Sequence, residues 1–206
     1  MTDNRDKILD AALTDAVFDG WMAGMLARAA ERVGLTDFDA RRAFPGGPID
    51  ALNHFMRRAD ARMVEALASD YHMETMKIRE RIATAVMVRL RQNQPHREAI
   101  RRALAVYAMP WHAADALKNL YATVDAMWRA AGDTSTDYNF YTKRLLLAKV
   151  YTTTLSVWLD DTSPGLEETE AFLRRRIENV MQIEKLKARA KESFGKLEEL
   201  FPKFRA

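Results

Sequence analysis

Helix breakers are sparse in this chain and fall at intervals, with only 8 glycines and 6 prolines among 206 residues. Between them, apolar residues recur at three and four positions rather than two, the spacing that lines one face of an α-helix. Ile8, Leu9, Ala12, Leu13, Ala16 and Val17 predict a helix ending near Gly20. Trp21, Met22, Met25, Leu26, Ala29 and Val33 predict a second, ending at Gly34. Thr36 is placed to cap a short third helix that runs to Phe44. The sharpest turn signal is FPGGP at 44–48, after which Pro48 suits the first position of a long helix carrying Ile49, Leu52, Phe55, Met56 and Met63. Later helices are predicted near 78–93, 97–109, 113–131, 137–160 and 164–204, divided by NQPH, MPW, the stretch AGDTSTDYNFYTKR at 131–144, and DDTSPG. The segment YTTTLSVWL at 151–159 has the β-branched and aromatic content of a strand. It continues an apolar run from Tyr138, however, and reads as part of a buried helix that is apolar nearly all round. The expected fold is all-α, with about nine helices and an amphipathic one at the end.

Cysteine is absent, which removes disulfides, thiolate nucleophiles, zinc knuckles and iron-sulfur clusters from consideration. The opening MTDNRDKILDAAL lacks both a basic flank with an apolar core and an Arg/Ser-rich leader. No window approaches the ~18–20 uninterrupted apolar residues of a membrane span. These features lead us to expect a bacterial-type cytoplasmic chain, peripheral to the inner membrane. Hydrophobic residues make up 48% of the sequence, ample for one core, and the net charge of +3 is modest.

Catalysis needs groups that converge, and the sequence offers few. His54, His72, His96 and His112 are scattered, without the spacing of helical zinc or di-iron sites. His112 and Asp115 share a helix face at a spacing more typical of a local hydrogen bond. There is no nucleophile elbow, Walker loop or dinucleotide fingerprint. A non-enzyme without metal is expected. What the chain does offer is soft apolar bulk: Met63, Met87, Tyr107, Trp111, Tyr121, Met127, Trp128, Tyr151 and Trp158 either fill the core or line a site for an apolar ligand. Near the end, Phe194, Leu197, Leu200, Phe201 and Phe204 form an apolar face flanked by Lys191, Lys196 and Lys203. Such a face lies in a membrane interface, or packs on the body or on a second copy in a homodimer.

Three short helices, a Phe-Pro turn and a long helix resemble the N-terminal half of TetR-type transcriptional regulators, and ILDAA near the start adds to the likeness. A DNA reader concentrates Lys and Arg on the helix that enters the groove. Residues 1–60 instead hold eight Lys/Arg against ten Asp/Glu, and the third helix opens TDFDARRAF, with Asp37 and Asp39 where phosphates would approach. Arg41 and Arg42 are the one feature favouring nucleic acid. The expected organisation is a TetR-like region over 1–60 that does not read DNA, a helical lipid- and partner-binding core over 61–181, and an amphipathic membrane-interface helix over 182–206.

The stretch MWRAAGDTSTDYNFYTKRLLLAKVY, followed by LDDTSPGLEETEAFLRRRI, resembles the accessory lipid-binding protein family of ubiquinone synthesis, the ninth named member of the coenzyme Q set. Trp128, Gly132, Asp133, Ser135, Thr136, Asp137, Asn139, Tyr141, Thr142, Arg144, Asp161, Ser163, Pro164, Phe172, Leu173 and Arg176 occupy the family's pattern. Phe140 stands where many relatives have Trp, keeping an aromatic plane and losing an indole N–H. The resemblance implies a TetR-like protein without its own catalysis. It would bind isoprenoid quinone intermediates or other lipids, touch the membrane through its last helix, and present substrate to a di-iron hydroxylase acting on demethoxyubiquinone. It also implies that Asp137, Asn139, Phe140, Tyr141 and Arg144 meet that hydroxylase, with Tyr141 and Arg144 as anchors. A transcriptional regulator with an apolar ligand pocket shares the fold and is the alternative at this point.

Overall fold

The structure is a computed structural model that describes residues 2–134 and 138–182, with side chains described from 4 to 134 and from 140 to 182. Among the described residues there are nine helices and no strand. They are α1 (Thr2–Phe18), α2 (Met25–Arg32), α3 (Asp37–Ala43), α4 (Pro48–Asp70), α5 (Ile78–Gln92), α6 (Arg97–Tyr107), α7 (Ala113–Ala130), α8 (Tyr138–Asp160) and α9 (167–182). The expected all-α fold is the one observed, and one hydrophobic cluster runs from Ile8 of α1 to Leu173 of α9.

At the front end, α3 forms where the capping residues predict it. The Thr36 hydroxyl accepts from the Asp39 amide, and the Asp39 carboxylate accepts from the Thr36 amide at 3.1 Å. Asp37 pairs with Arg41 at 2.7 Å, so both carboxylates and one of the two arginines are engaged within the helix. Phe44 is fully buried, Gly47 takes a positive φ of 70°, and Pro48 opens α4. The second helix starts later than its apolar spacing predicts. Trp21 lies in the turn before it, where its indole N–H donates to the Ala99 carbonyl at 2.9 Å. Gly24, left-handed at φ 87°, then begins α2 at Met25.

The expected division at residues 60 and 61 falls in the middle of α4, a continuous helix of 23 residues. Both sides of that boundary therefore share one helix and one core. A buried polar knot joins four helices there. Arg89 of α5, 3% exposed, donates to Asp60 of α4 at 2.7 Å and to the Tyr151 hydroxyl of α8 at 2.6 Å, while Thr123 of α7 donates to both Asp60 oxygens at 3.0 Å. A buried charge left unpaired is costly, so this knot favours the one arrangement that satisfies it.

YTTTLSVWL is helical, as expected. The hydroxyls of Thr152, Thr153 and Thr154 donate back to carbonyls four residues earlier, at 2.8, 2.8 and 2.7 Å, which accommodates the β-branched run. The all-round apolar character does not hold. Thr152, Thr153 and Ser156 face solvent, while Leu155, Trp158 and Leu159 face the core. At the C-terminal end of α8, Arg101 of α6 donates to the Leu159 carbonyl and Arg97 to the Asp161 carbonyl, both at 2.6 Å, supplying donors to orphan carbonyls.

Candidate functional site

The hairpin of α7 and α8 turns at the unusual stretch identified in the sequence. Gly132 sits at φ 88° and closes α7 in a Schellman arrangement, with the Asp133 amide donating to the Trp128 carbonyl and the Gly132 amide to the Arg129 carbonyl, both at 2.9 Å. Arg81 of α5 holds the turn from outside. Its guanidinium donates to the carbonyls of Met76, Glu74 and Ala131 at 2.9, 3.1 and 3.0 Å.

Arg144 lies at the centre of this junction. Only 2% exposed, it donates to Asp125 of α7 at 2.7 Å, to Asp133 in the turn at 3.1 Å and to its own helix at the Phe140 carbonyl, also 3.1 Å. Its guanidinium lies 3.4 Å from the centre of the Phe140 ring. Lys143 reaches Asp133 at 2.7 Å, and the Trp128 indole donates to the Lys143 carbonyl at 3.1 Å. Burial works against the charged form of Asp125, but hydrogen bonds from Arg129 and Arg144 outweigh it and hold the carboxyl below its ordinary value. The expectation that Arg144 is an exposed partner anchor is therefore corrected. Its charge is used inside the chain, because two α7-side carboxylates and the Phe140 face enclose it.

Among the described members of the set, Tyr141 is exposed at 66%, and Leu145, one turn on, is exposed at 73%. Phe140 is half-buried and meets the Tyr141 ring edge-on at 5.1 Å. Asp137 lies outside the described residues, and so does the Asn139 side chain. The same holds for Lys191, Phe194, Lys196, Leu197, Leu200, Phe201, Lys203 and Phe204, the expected membrane face.

Beside this stripe, α8 contributes to an apolar cavity of 630 Å³. Its walls come from Ile78 and Ile82 of α5, Trp128 of α7, Leu146, Leu147 and Val150 of α8, and Ile177, Val180 and Met181 of α9; polar Asp133, Thr142 and Lys143 line the junction end. Exposed Arg79 and Thr134 also line it, so the cavity reaches the surface. The helical repeat gives α8 three roles. Tyr141 and Leu145 face solvent, Thr142, Leu146 and Val150 face the cavity, and Arg144, Leu147 and Tyr151 face the interior, with Leu147 also touching the cavity.

Of the nine residues expected to contact an apolar ligand, only Trp128 lines this cavity. Met63, Met87, Met127, Tyr151 and Trp158 are at most 5% exposed and pack in the core. Tyr107 joins a polar cluster, donating to Asn53 at 2.9 Å and accepting from Asn119 at 2.9 Å, and burial raises its phenol well above the ordinary value. Trp111 and Tyr121 are exposed at 72% and 43%. Bulk selected core fillers. The cavity is instead lined by medium-sized Ile, Leu, Val and Met at the margin of the core, a signal present as the pairs Ile78/Ile82 and Leu146/Val150. His112 and Asp115 approach to 3.9 Å, a local contact. Among the described residues, no three His, Asp or Glu side chains gather as a metal site.

A family model described as COQ9 matches residues 113–184. Over these residues the chain is similar to the COQ9 family. It is 34% identical over 183 residues to the mitochondrial ubiquinone biosynthesis protein COQ9 of Homo sapiens, an alignment covering 86% of this chain and 57% of that protein. The Drosophila melanogaster protein of the same name is 31% identical, with 87% and 56% covered, and that of Schizosaccharomyces pombe 25%, with 87% and 71% covered. The chain thus spans under three fifths of the length of the human and fly relatives. A TetR transcriptional regulator from Nitrosomonas europaea shares the fold, with a TM-score of 0.70 at 23% identity over 84% of this chain and 95% of that one. The COQ9-matched segment takes in α7, α8, the Arg144 junction and α9, so every cavity wall except α5 lies within it. No helix among the described residues is long and apolar enough to cross a membrane.

Proposed function

We propose that this COQ9-like chain is a non-catalytic lipid-binding accessory protein of ubiquinone biosynthesis, working at a membrane surface. It takes an isoprenoid quinone intermediate or another lipid into the α5–α7–α8–α9 cavity and presents it to a di-iron demethoxyubiquinone hydroxylase. The observation that carries the reading is the 630 Å³ apolar cavity within the family-matched segment, one helical step from the exposed Tyr141–Leu145 stripe. An apolar chain leaves water for such a site with a gain of about 0.8 kcal/mol per methylene, and the walls supply the dry surface this requires. Large exposed side chains next to the cavity suit a partner that must receive what the cavity holds, since Tyr anchors are favoured at protein interfaces. DNA reading is disfavoured because the first turn of α3 carries Asp37 and Asp39.

The test is prenol binding by the intact chain, followed by native mass spectrometry. Geranylgeraniol should bind the wild type, and Leu146→Trp, which places an indole in the cavity, should remove the complex while leaving the helical circular dichroism unchanged. Equal binding by both proteins would place the ligand elsewhere and defeat the assignment of this cavity.

A further inference from the structure

Of the 4 tryptophans in the chain, three are anchored. The indoles of Trp21, Trp128 and Trp158 donate to the Ala99 carbonyl, the Lys143 carbonyl and the Gln94 side-chain oxygen at 2.9, 3.1 and 3.0 Å. Trp111 has no such acceptor among the described residues. It stands exposed in the turn Pro110–His112 that leads into α7, with only the His112 ring against it, edge-on. The helix continues what Trp111 starts. Asn119, Thr123 and Met127 face the interior, which turns Ala114, Leu117 and Tyr121 outward at the i, i+3, i+7 spacing of a helix-packing seam. Leu117 is 69% exposed, and the apolar line from Trp111 to Tyr121 is about 15 Å long. It stops at Asp125, which is committed to Arg129 and Arg144. The flank of this line is basic. Asn53 of α4 donates to Asp115 of α7, and Thr123 of α7 donates to Asp60 of α4, so the two helices run parallel, side by side. The helical repeat then puts Arg57 and Ala61 of α4 on the same solvent flank as Lys118 and Ala122 of α7. Among the described residues, neither Arg57 nor Lys118 has a carboxylate partner.

We infer that this face of α7 docks an amphipathic helix of a partner protein, with apolar side chains on the Trp111–Leu117–Tyr121 line and acidic ones against Arg57 and Lys118. Aromatic and leucine side chains at helical spacing are the anchors of helix-on-helix recognition, and Trp and Tyr carry much of the energy of protein interfaces. The small residues Ala114 and Ala122 leave room for a second helix at the usual axis separation of about 8–10 Å. Charge selects the occupant. A second copy of this chain would bring another basic flank to the same seam, whereas an acidic helix supplies the carboxylates that Arg57 and Lys118 lack. Position argues against a lipid surface, because α7 is 18 residues, about 27 Å, long and the cavity lies at its other end.

The probes are two fluorescein-labelled, three-heptad helical peptides with Leu at a and d, one carrying Glu and the other Lys at e and g. Their binding to the full chain is read by fluorescence anisotropy at low salt. Wild type should prefer the Glu peptide by about tenfold or more, Trp111→Ala and Leu117→Gln should each weaken it about tenfold, and Arg57→Glu combined with Lys118→Glu should reverse the preference. These positions are exposed, so the circular dichroism and melting temperature of every variant should match wild type. Equal affinity for the two peptides, or undiminished binding by Trp111→Ala and Leu117→Gln, would overturn the inference. Flotation with phosphatidylglycerol vesicles that Trp111→Ala abolishes would give the face to a membrane, and a dimer in sedimentation velocity that Leu117→Gln dissolves would give it to a second copy; either result would overturn it as well.

Discussion

Removing the Arg144 guanidinium tests whether the junction of α7 and α8 is a structural clamp. In Arg144→Ala, Asp125 and Asp133 lose their buried partner and the Phe140 ring loses the cation stacked on it. Breaking a buried ion pair from one side typically costs about 3–5 kcal/mol. Here each carboxylate keeps a second cation, Arg129 for Asp125 and Lys143 for Asp133, both at 2.7 Å. The low end, about 3 kcal/mol, is therefore expected, which for a chain of this size lowers the melting temperature by roughly 6–12 °C. Tyr141→Ala, at a site 66% exposed, should stay within about 0.5 kcal/mol of wild type. Differential scanning calorimetry of the two variants side by side reads the contrast. A melting temperature for Arg144→Ala within roughly 2 °C of wild type, no more than a surface substitution produces, would refute the clamp.

Three other expectations follow from the same geometry. Gly132→Ala should destabilise by about 1–2 kcal/mol and by more than Gly20→Ala. Both glycines have positive φ, but a Cβ at Gly132 would also sit 3.1 Å from Arg81 Nη1, whereas nothing lies within 4 Å at Gly20. Asp161 is buried, which disfavours its charge, yet hydrogen bonds from Ser163 and Thr169 more than offset this and bring its pKa down to about 2. Because the folded value lies below the unfolded one, its stabilisation is complete above about pH 4 and is lost as pH falls toward 2; the gap in urea midpoint between wild type and Asp161→Asn should close over that window. Tyr141→Ala and Leu145→Ala should each reduce capture of purified di-iron hydroxylase while leaving prenol binding intact, and unchanged capture by both would remove this stripe from the partner surface.

Much of the scaffold was legible because its signals are local. Thr36 with Asp39 fixes the start of α3, Pro48 fixes the start of α4, and Gly132 fixes the end of α7. The late start of α2 was not, since Trp21 is held by the Ala99 carbonyl on a distant helix. The same limit explains Arg144. An arginine sharing a helix face with Tyr141 looks like a surface anchor until Asp125 and Asp133 are brought against it by the turn. Cavity walls are the least legible feature of all. A void is set by what neighbouring helices fail to fill, so large residues such as Trp158 and Met63 mark where packing is complete.

The account as a whole is tested most directly by reconstituted hydroxylation of demethoxyubiquinone in liposomes, with purified di-iron hydroxylase and this chain added as wild type, Leu146→Trp or Tyr141→Ala. Wild type should raise turnover well above hydroxylase alone, Leu146→Trp should fail for want of a cavity, and Tyr141→Ala should fail for want of a partner contact. Stimulation by both variants equal to that of wild type would contradict the claim that this cavity and this stripe work together.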